Sequence, residues 1–222
     1  MPFDLTNPID TPPTGYNNSD PDLFLGPGGA LYCVYRTYDI ERTVERLYYR
    51  ASLDGVHWGG ATMFLEHASG GDQTYLVSPS VVYKDGWFYM WTSNHFALEL
   101  RTGQSLTALG EVIHCMFSAV GNWYHNDVIW YNNDFRAVIQ NGVLGLRYAE
   151  SYDGITWSVA PANFLGLGAA GQWDDTWIYR ATFTPTTTGY DLWYSARGTG
   201  ATTAYRFGRT QMTVTPWTYV PF

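Results

Sequence analysis

Apolar and polar positions alternate along most of this chain, in short runs set off by turn residues. Leu31-Tyr-Cys-Val-Tyr35, Trp87-Phe-Tyr-Met-Trp91 and Tyr190-Asp-Leu-Trp-Tyr194 are rich in aromatic side chains, and Leu47-Tyr-Tyr-Arg-Ala51 and Leu144-Gly-Leu-Arg-Tyr-Ala149 alternate. Such runs predict strands with one buried face. No segment holds a 3.6-residue apolar period over three turns, so no helix is predicted.

The runs recur as four units. Each has an apolar first strand, a turn with Gly or Asn, an aromatic second strand, a loop and an alternating third strand. The first strands are read at residues 22–25, 78–83, 125–130 and 180–184. The second strands are read at 31–35, 87–91, 135–139 and 190–194, and the third at 47–51, 96–101, 144–149 and 204–208. The unit repeats about every 47–60 residues, the range of propeller repeats. One phrase returns in register: Ser52-Leu-Asp-Gly-Val-His-Trp58 and Ser151-Tyr-Asp-Gly-Ile-Thr-Trp157 share S-x-D-G-x-x-W. Asp-Gly suits a tight turn, because Gly accepts positive φ and Asp bonds its own backbone, and the Trp packs back on the strand.

The expected fold is therefore all-β, a β-propeller with four recognisable four-stranded blades, or five if the termini complete a blade. A sandwich or jelly roll would not need the second strand and the turn to recur together. The polar, Pro- and Asn-rich residues 1–20 read as a lead-in arm. Residues 21–222 read as a single propeller domain, which the C-terminal Trp217-Thr-Tyr-Val-Pro-Phe222 could close by pairing with an N-terminal strand.

Composition fits this picture and narrows the partners. Of 222 residues 18% are aromatic, with 10 Trp and 18 Tyr, and only 14% are charged. The net charge is −8 and Lys84 is the sole lysine, so a nucleic-acid partner is not expected. Cys33 and Cys115 lie in apolar runs and read as buried free thiols, with a disulfide as the alternative and without metal-site spacing. His114 and Cys115 would point to opposite faces of a strand, so neither a metal nor a cofactor is expected. Met1-Pro-Phe-Asp-Leu has no secretory pattern, and no run is long enough to insert in a membrane. Synthesis in the cytoplasm is expected, with action on a virion surface or outside the cell after release.

Two stretches carry a family resemblance. One runs from Ser52 to Ser93 and includes Ser78-Pro-Ser-Val-Val-Tyr-Lys-Asp-Gly-Trp-Phe-Tyr-Met-Trp-Thr-Ser93. The other runs from Ser151 to Ser195 and includes Tyr179-Arg-Ala-Thr-Phe and Tyr190-Asp-Leu-Trp-Tyr-Ser195. Together they resemble the furanosidase-type five-bladed propellers, the arabinanases, β-xylosidases and invertases. The resemblance implies a site at the axial mouth, with a base, an acid and a third acidic residue from the starts of the innermost strands. Asp22 matches the family's base, and Asp127 and Asp175 are the candidates for acid or modulator.

The chain also departs from that pattern. Ser78 and Ser80 stand where the family would place an Asp, and no Glu sits at a first-strand start. Glycoside hydrolysis needs two carboxyl groups at a fixed separation, so this departure favours recognition over turnover. Trp123, His125, Trp173 and Arg180, at loop-to-strand junctions, are the candidate sugar-binding residues. The leading expectation is a glycan-recognising, glycosidase-like propeller that binds polysaccharide, as a virion or tail component with other virion subunits or copies of itself as neighbours. The alternatives are an active furanoside or xyloside hydrolase and a structural decoration protein.

Overall fold

The computed structural model describes residues 9–41, 43–68, 75–94, 97–142, 145–199 and 204–214. Four sheets follow one another. The first runs β1 (Tyr16–Leu25), β2 (Leu31–Asp39), β3 (Val44–Ser52), β4 (Thr62–Ala68), and the second β5 (Val77–Lys84), β6 (Trp87–Asn94), β7 (Ala97–Gly103), β8 (Ile113–His114). The third is β10 (Trp123–Tyr131), β11 (Asp134–Asn141), β12 (Gly145–Ser151), β13 (Thr156–Gly166), with the short β9 (Met116–Phe117) added in parallel to β13. The fourth is β14 (Trp177–Pro185), β15 (Tyr190–Arg197) and β16 (Arg206–Met212). Apart from β9, each sheet pairs strands adjacent in sequence, antiparallel throughout the first and fourth sheets, along β10 to β13 and between β5 and β6, the up-and-down pattern of propeller blades.

The fold is all-β with four blades, as the repeat predicts. Two details differ from the reading. The first strand begins at Tyr16 rather than Asp22, because Asn17, Asn18 and Ser19 pair with Tyr38, Thr37 and Arg36 despite their polarity. Blade four has three strands among the described residues; the proposed closing strand at 217–222 lies outside them.

Contacts divide the chain into two compact units, one formed by residues 1–95 and 99–113, the other by 96–98 and 114–222. Each has its own core. The first gathers Val34, Leu47, Leu76, Val81, Phe88, Met90 and Leu106. The second gathers Val138, Leu146, Tyr148, Phe164, Ile178, Phe183, Tyr190 and Leu192, among others.

Turn chemistry fixes the blade edges. Asp85-Gly86 and Asn132-Asn133 carry the paired positive φ angles of two-residue hairpin turns, 52° and 81°, and 53° and 67°. The two S-x-D-G-x-x-W turns share one hydrogen-bond pattern. Ser52 Oγ accepts from the Gly55 amide, and Asp54 Oδ1 accepts from the amides of Val56 and His57. Ser151 and Asp153 repeat this with Gly154, Ile155 and Thr156. The tryptophans differ: Trp157 is fully buried beside Phe117, whereas Trp58 is half-buried.

Candidate functional site

Every first strand carries a β-bulge near its start. Asp20-Pro21 lie opposite Tyr35, Ser78-Pro79 opposite Thr92, Tyr124-His125 opposite Gln140, and Tyr179 is the extra residue of β14. A bulge bends the strand and re-aims its side chains, which is why bulges collect beside functional sites. Asp20 and Ser78 take left-handed φ of 57° and 51°. The following proline disfavours the right-handed helical region, and a short polar side chain tolerates the left-handed one.

In the first unit the bulges assemble a buried charged cluster. Arg36 Nη1 lies 3.3 Å from Asp20 Oδ2, and Arg36 Nη2 donates to Glu45 Oε1 at 2.6 Å. Glu45 Oε2 accepts the Leu76 amide at 2.8 Å, and Asp20 Oδ2 accepts the Ser78 amide at 3.3 Å. Asp20, Arg36, Glu45 and Ser78 are all buried. Burial opposes the charge on Arg36, but Asp20 and Glu45 outweigh it and raise its pKa. Close by, Asp22 Oδ2 accepts the Val81 amide at 2.7 Å, tying β1 to β5.

In the second unit the bulges assemble rings instead. The buried His125 stands 4.2 Å from Tyr179 and 4.5 Å from Tyr124, centroid to centroid. Tyr179 continues to Tyr205 at 4.9 Å and Trp177 at 6.3 Å. The Arg197 guanidinium lies 4.6 Å over the Trp177 ring and 5.8 Å over Tyr205. Asp127, like Asp22, ties two first strands: its Oδ2 accepts the Phe183 amide at 3.1 Å and Thr182 Oγ1 at 2.9 Å. Burial pushes the Asp127 carboxyl up to about 6, against those two hydrogen bonds and the charge of Arg180.

The sequence candidates therefore separate. His125 joins the aromatic cluster, and Arg180 follows Tyr179 in β14, its amide 3.3 Å from Ser195 Oγ. Trp123 is buried 5.1 Å from Phe117, with its ring over Gly121, where a Cβ would sit 2.4 Å from it. Trp173 stacks on Tyr194 at 5.3 Å and covers Gly208. Asp175 closes a loop, accepting the amides of Gly171 and Thr199 at 2.6 Å each; these backbone bonds lower its pKa to about 2.

Asp20, Arg36, Glu45, Tyr179 and Arg197 escaped the sequence reading. The Asp-Pro and Ser-Pro pairs at strand starts were the available signal. Among the described residues, no three metal-ligating side chains converge.

No family model matches the chain. It is 24% identical, over 265 aligned residues, to the A type blood N-acetyl-α-D-galactosamine deacetylase of Flavonifractor plautii; the match takes in 88% of this chain. The chain spans about a third of that protein's length, 34%. Among solved structures it resembles a glycosyl hydrolase from Bacteroides ovatus, with TM-score 0.65 and 18% identity over 88% of this chain and 66% of that one. It also resembles the β-1,2-mannobiose phosphorylase of Listeria innocua, with TM-score 0.64 and 13% identity over 94% and 78%. A family 117 glycoside hydrolase of Zobellia galactanivorans gives TM-score 0.58 and 15% identity over 88% and 67%. The fold is that of the glycosidase β-propellers.

Proposed function

We propose that this protein is a glycan-recognising propeller whose binding site is the aromatic cluster at the bulges of the second unit. The observation that carries this reading is the His125–Tyr179 contact, flanked by Tyr124, Trp177, Tyr205 and Arg197. Aromatic faces accept the apolar faces of a sugar ring, and a few convergent polar groups fix its orientation. Arg197 supplies such a group, and the buried His125 holds the Tyr179 ring edge to face. The three carboxylates first considered for catalysis each accept backbone amides: Asp22 from Val81, Asp127 from Phe183, Asp175 from Gly171 and Thr199. That gives each an architectural task. N-acetyl-D-galactosamine, the sugar in the deacetylase's name, heads the ligand panel.

A glycan array run in parallel with an assay for released reducing sugar tests the reading. Binding without release is expected. Tyr179→Ala and Trp177→Ala should each weaken it about tenfold, near 1.4 kcal/mol, with an unchanged circular dichroism spectrum. No binding to any glycan, or unweakened binding by both variants, would sink the proposal.

A hydrolase remains the second reading because Asp20 is buried, left-handed and ion-paired, a strained carboxylate of the kind that collects at active sites. Sugar release abolished by Asp20→Asn would favour it. A virion- or tail-associated setting rests on the acidic, nearly lysine-free composition. Cosedimentation with particles is its test.

A further inference from the structure

At the other end of the second unit's strands, where β10 turns into β11 and β14 into β15, lies a cavity of about 240 Å³. Arg136, Tyr148, Glu150 and Tyr190 form its polar wall, and Thr187 and Thr188 its exposed rim. A directed chain of hydrogen bonds runs along that wall. Tyr148 donates to Glu150 Oε1 at 2.9 Å, so Tyr190 donates to Tyr148 at 2.9 Å, and Arg136 Nη1 donates to Tyr190 at 2.7 Å. Glu150 Oε2 and Arg136 Nη2 enter none of these bonds. Both side chains retain exposure, 23% and 17%. Asp134 Oδ1 lies 3.5 Å from Arg136 Nε.

The first unit shows that the fold does not require this polar wall. Val34 pairs with Asp22 as Val138 pairs with Asp127, which makes Tyr32 the counterpart of Arg136. By the same register Tyr49 matches Tyr148, Ala51 matches Glu150 and Phe88 matches Tyr190. There the space is closed by rings: Phe24 stacks on Tyr32 at 5.4 Å, Tyr32 meets Tyr49 at 5.7 Å, and Phe88 meets Tyr83 at 4.8 Å. Aromatic rings and a methyl group suffice at these positions, so the charges of Arg136 and Glu150 and the hydroxyl of Tyr190 in the second unit call for another explanation.

We propose that this cavity is a second binding site, for a neutral polyhydroxylated ring the size of one monosaccharide. The wall offers an acceptor, Glu150, beside a donor, Arg136, and vicinal hydroxyls answer both at once. Two carboxylates against one guanidinium disfavour an anion, and Arg136 disfavours a cation. This site stands apart from the bulge-end cluster and does not depend on it.

The test is a ¹⁵N NMR titration of the full chain with N-acetyl-D-galactosamine, D-galactose and D-mannose, each to roughly 100 mM, a range that captures millimolar affinity. Saturable shifts are expected at the amides of Thr186 to Gly189 with at least one sugar. Tyr190→Phe with Glu150→Ala, which imports the first unit's residues, should abolish them while the rest of the spectrum stays folded. Glu150→Gln should weaken them with less disturbance. Tyr179→Ala should leave them intact, which separates this site from the bulge-end one. No saturable shift with any of the three sugars, or shifts that survive in the Tyr190→Phe/Glu150→Ala protein, would overturn the proposal.

Discussion

The two units are built on one frame and finished in opposite ways. Asp22 ties β1 to β5 through the Val81 amide, and Asp127 ties β10 to β14 through the Phe183 amide. Both units bulge just before that Asp, and both end their third strand in a Ser-Asp-Gly turn. The chemistry at the two ends is then exchanged. The first unit buries Asp20, Arg36 and Glu45 at the bulge end and closes the turn end with Phe24, Tyr32, Tyr49 and Phe88. The second places Tyr124, His125 and Tyr179 at the bulge end and Arg136, Glu150 and Tyr190 at the turn end. A small set of hydrogen bonds thus holds the blades in register and leaves the strand ends open to variation.

The largest expected difference lies between Arg36 and its counterpart Gln140. Removing Arg36 leaves two buried carboxylates without their cation, so Arg36→Met should cost about 3–5 kcal/mol. Gln140 donates one hydrogen bond to the Ile178 carbonyl at 2.9 Å. Gln140→Met should cost only about 1–2 kcal/mol. Urea unfolding of the two variants measures the contrast. Equal losses would mean that the charged cluster is no more structural than a single amide.

Asp127 gives the next effect, and its sign is set by burial. Its carboxyl titrates at about 6 in the folded protein, against the 3.8 usual for a solvated aspartate. The folded state therefore holds the proton more tightly. The stability this gives is fully present below about pH 3.8 and is lost as pH rises through 6, to a limit of about 3 kcal/mol. Asp127→Asn keeps an oxygen for the Phe183 amide and removes the titration. Thermal melts at pH 4 and pH 6.5 should differ less in this variant than in the wild type. An unchanged difference would show that the proton goes elsewhere.

The frame was legible in the sequence because its signals are local. Aromatic runs marked the second strands, alternation the third, and S-x-D-G-x-x-W marked turns whose hydrogen bonds join residues two or three apart. The bulges were less legible: Asp20-Pro21 and Ser78-Pro79 hinted at two of them, but a bulge is a register between two strands and not a property of either one. Asp22 rather than Asp20 therefore stood out as the strand-entry carboxylate. Trp123 and Trp173 stood out as sugar-binding candidates for a similar reason. What packs each of them down is a glycine under the ring, Gly121 beneath the buried Trp123 and Gly208 beneath the half-buried Trp173, and the second of these lies 35 residues from the tryptophan it supports.

The smallest expected effect sharpens the comparison within the shared turn. His57 Nδ1 lies 2.6 Å from Asp54 Oδ2, and its counterpart in the second unit is Thr156. Both members of that contact are more than half exposed, 63% and 52%. A polar contact so open to solvent contributes little. The bonds that define the turn use the main-chain amides of Val56 and His57, which any residue other than proline supplies at position 57. His57→Thr should therefore leave the unfolding midpoint within about 1 °C of wild type, below the 2–4 °C that 1 kcal/mol gives in a protein of this size. Circular dichroism melts at pH 7 settle it. A larger drop would make the imidazole part of the turn's frame, and the two S-x-D-G-x-x-W copies would no longer be interchangeable in what holds them.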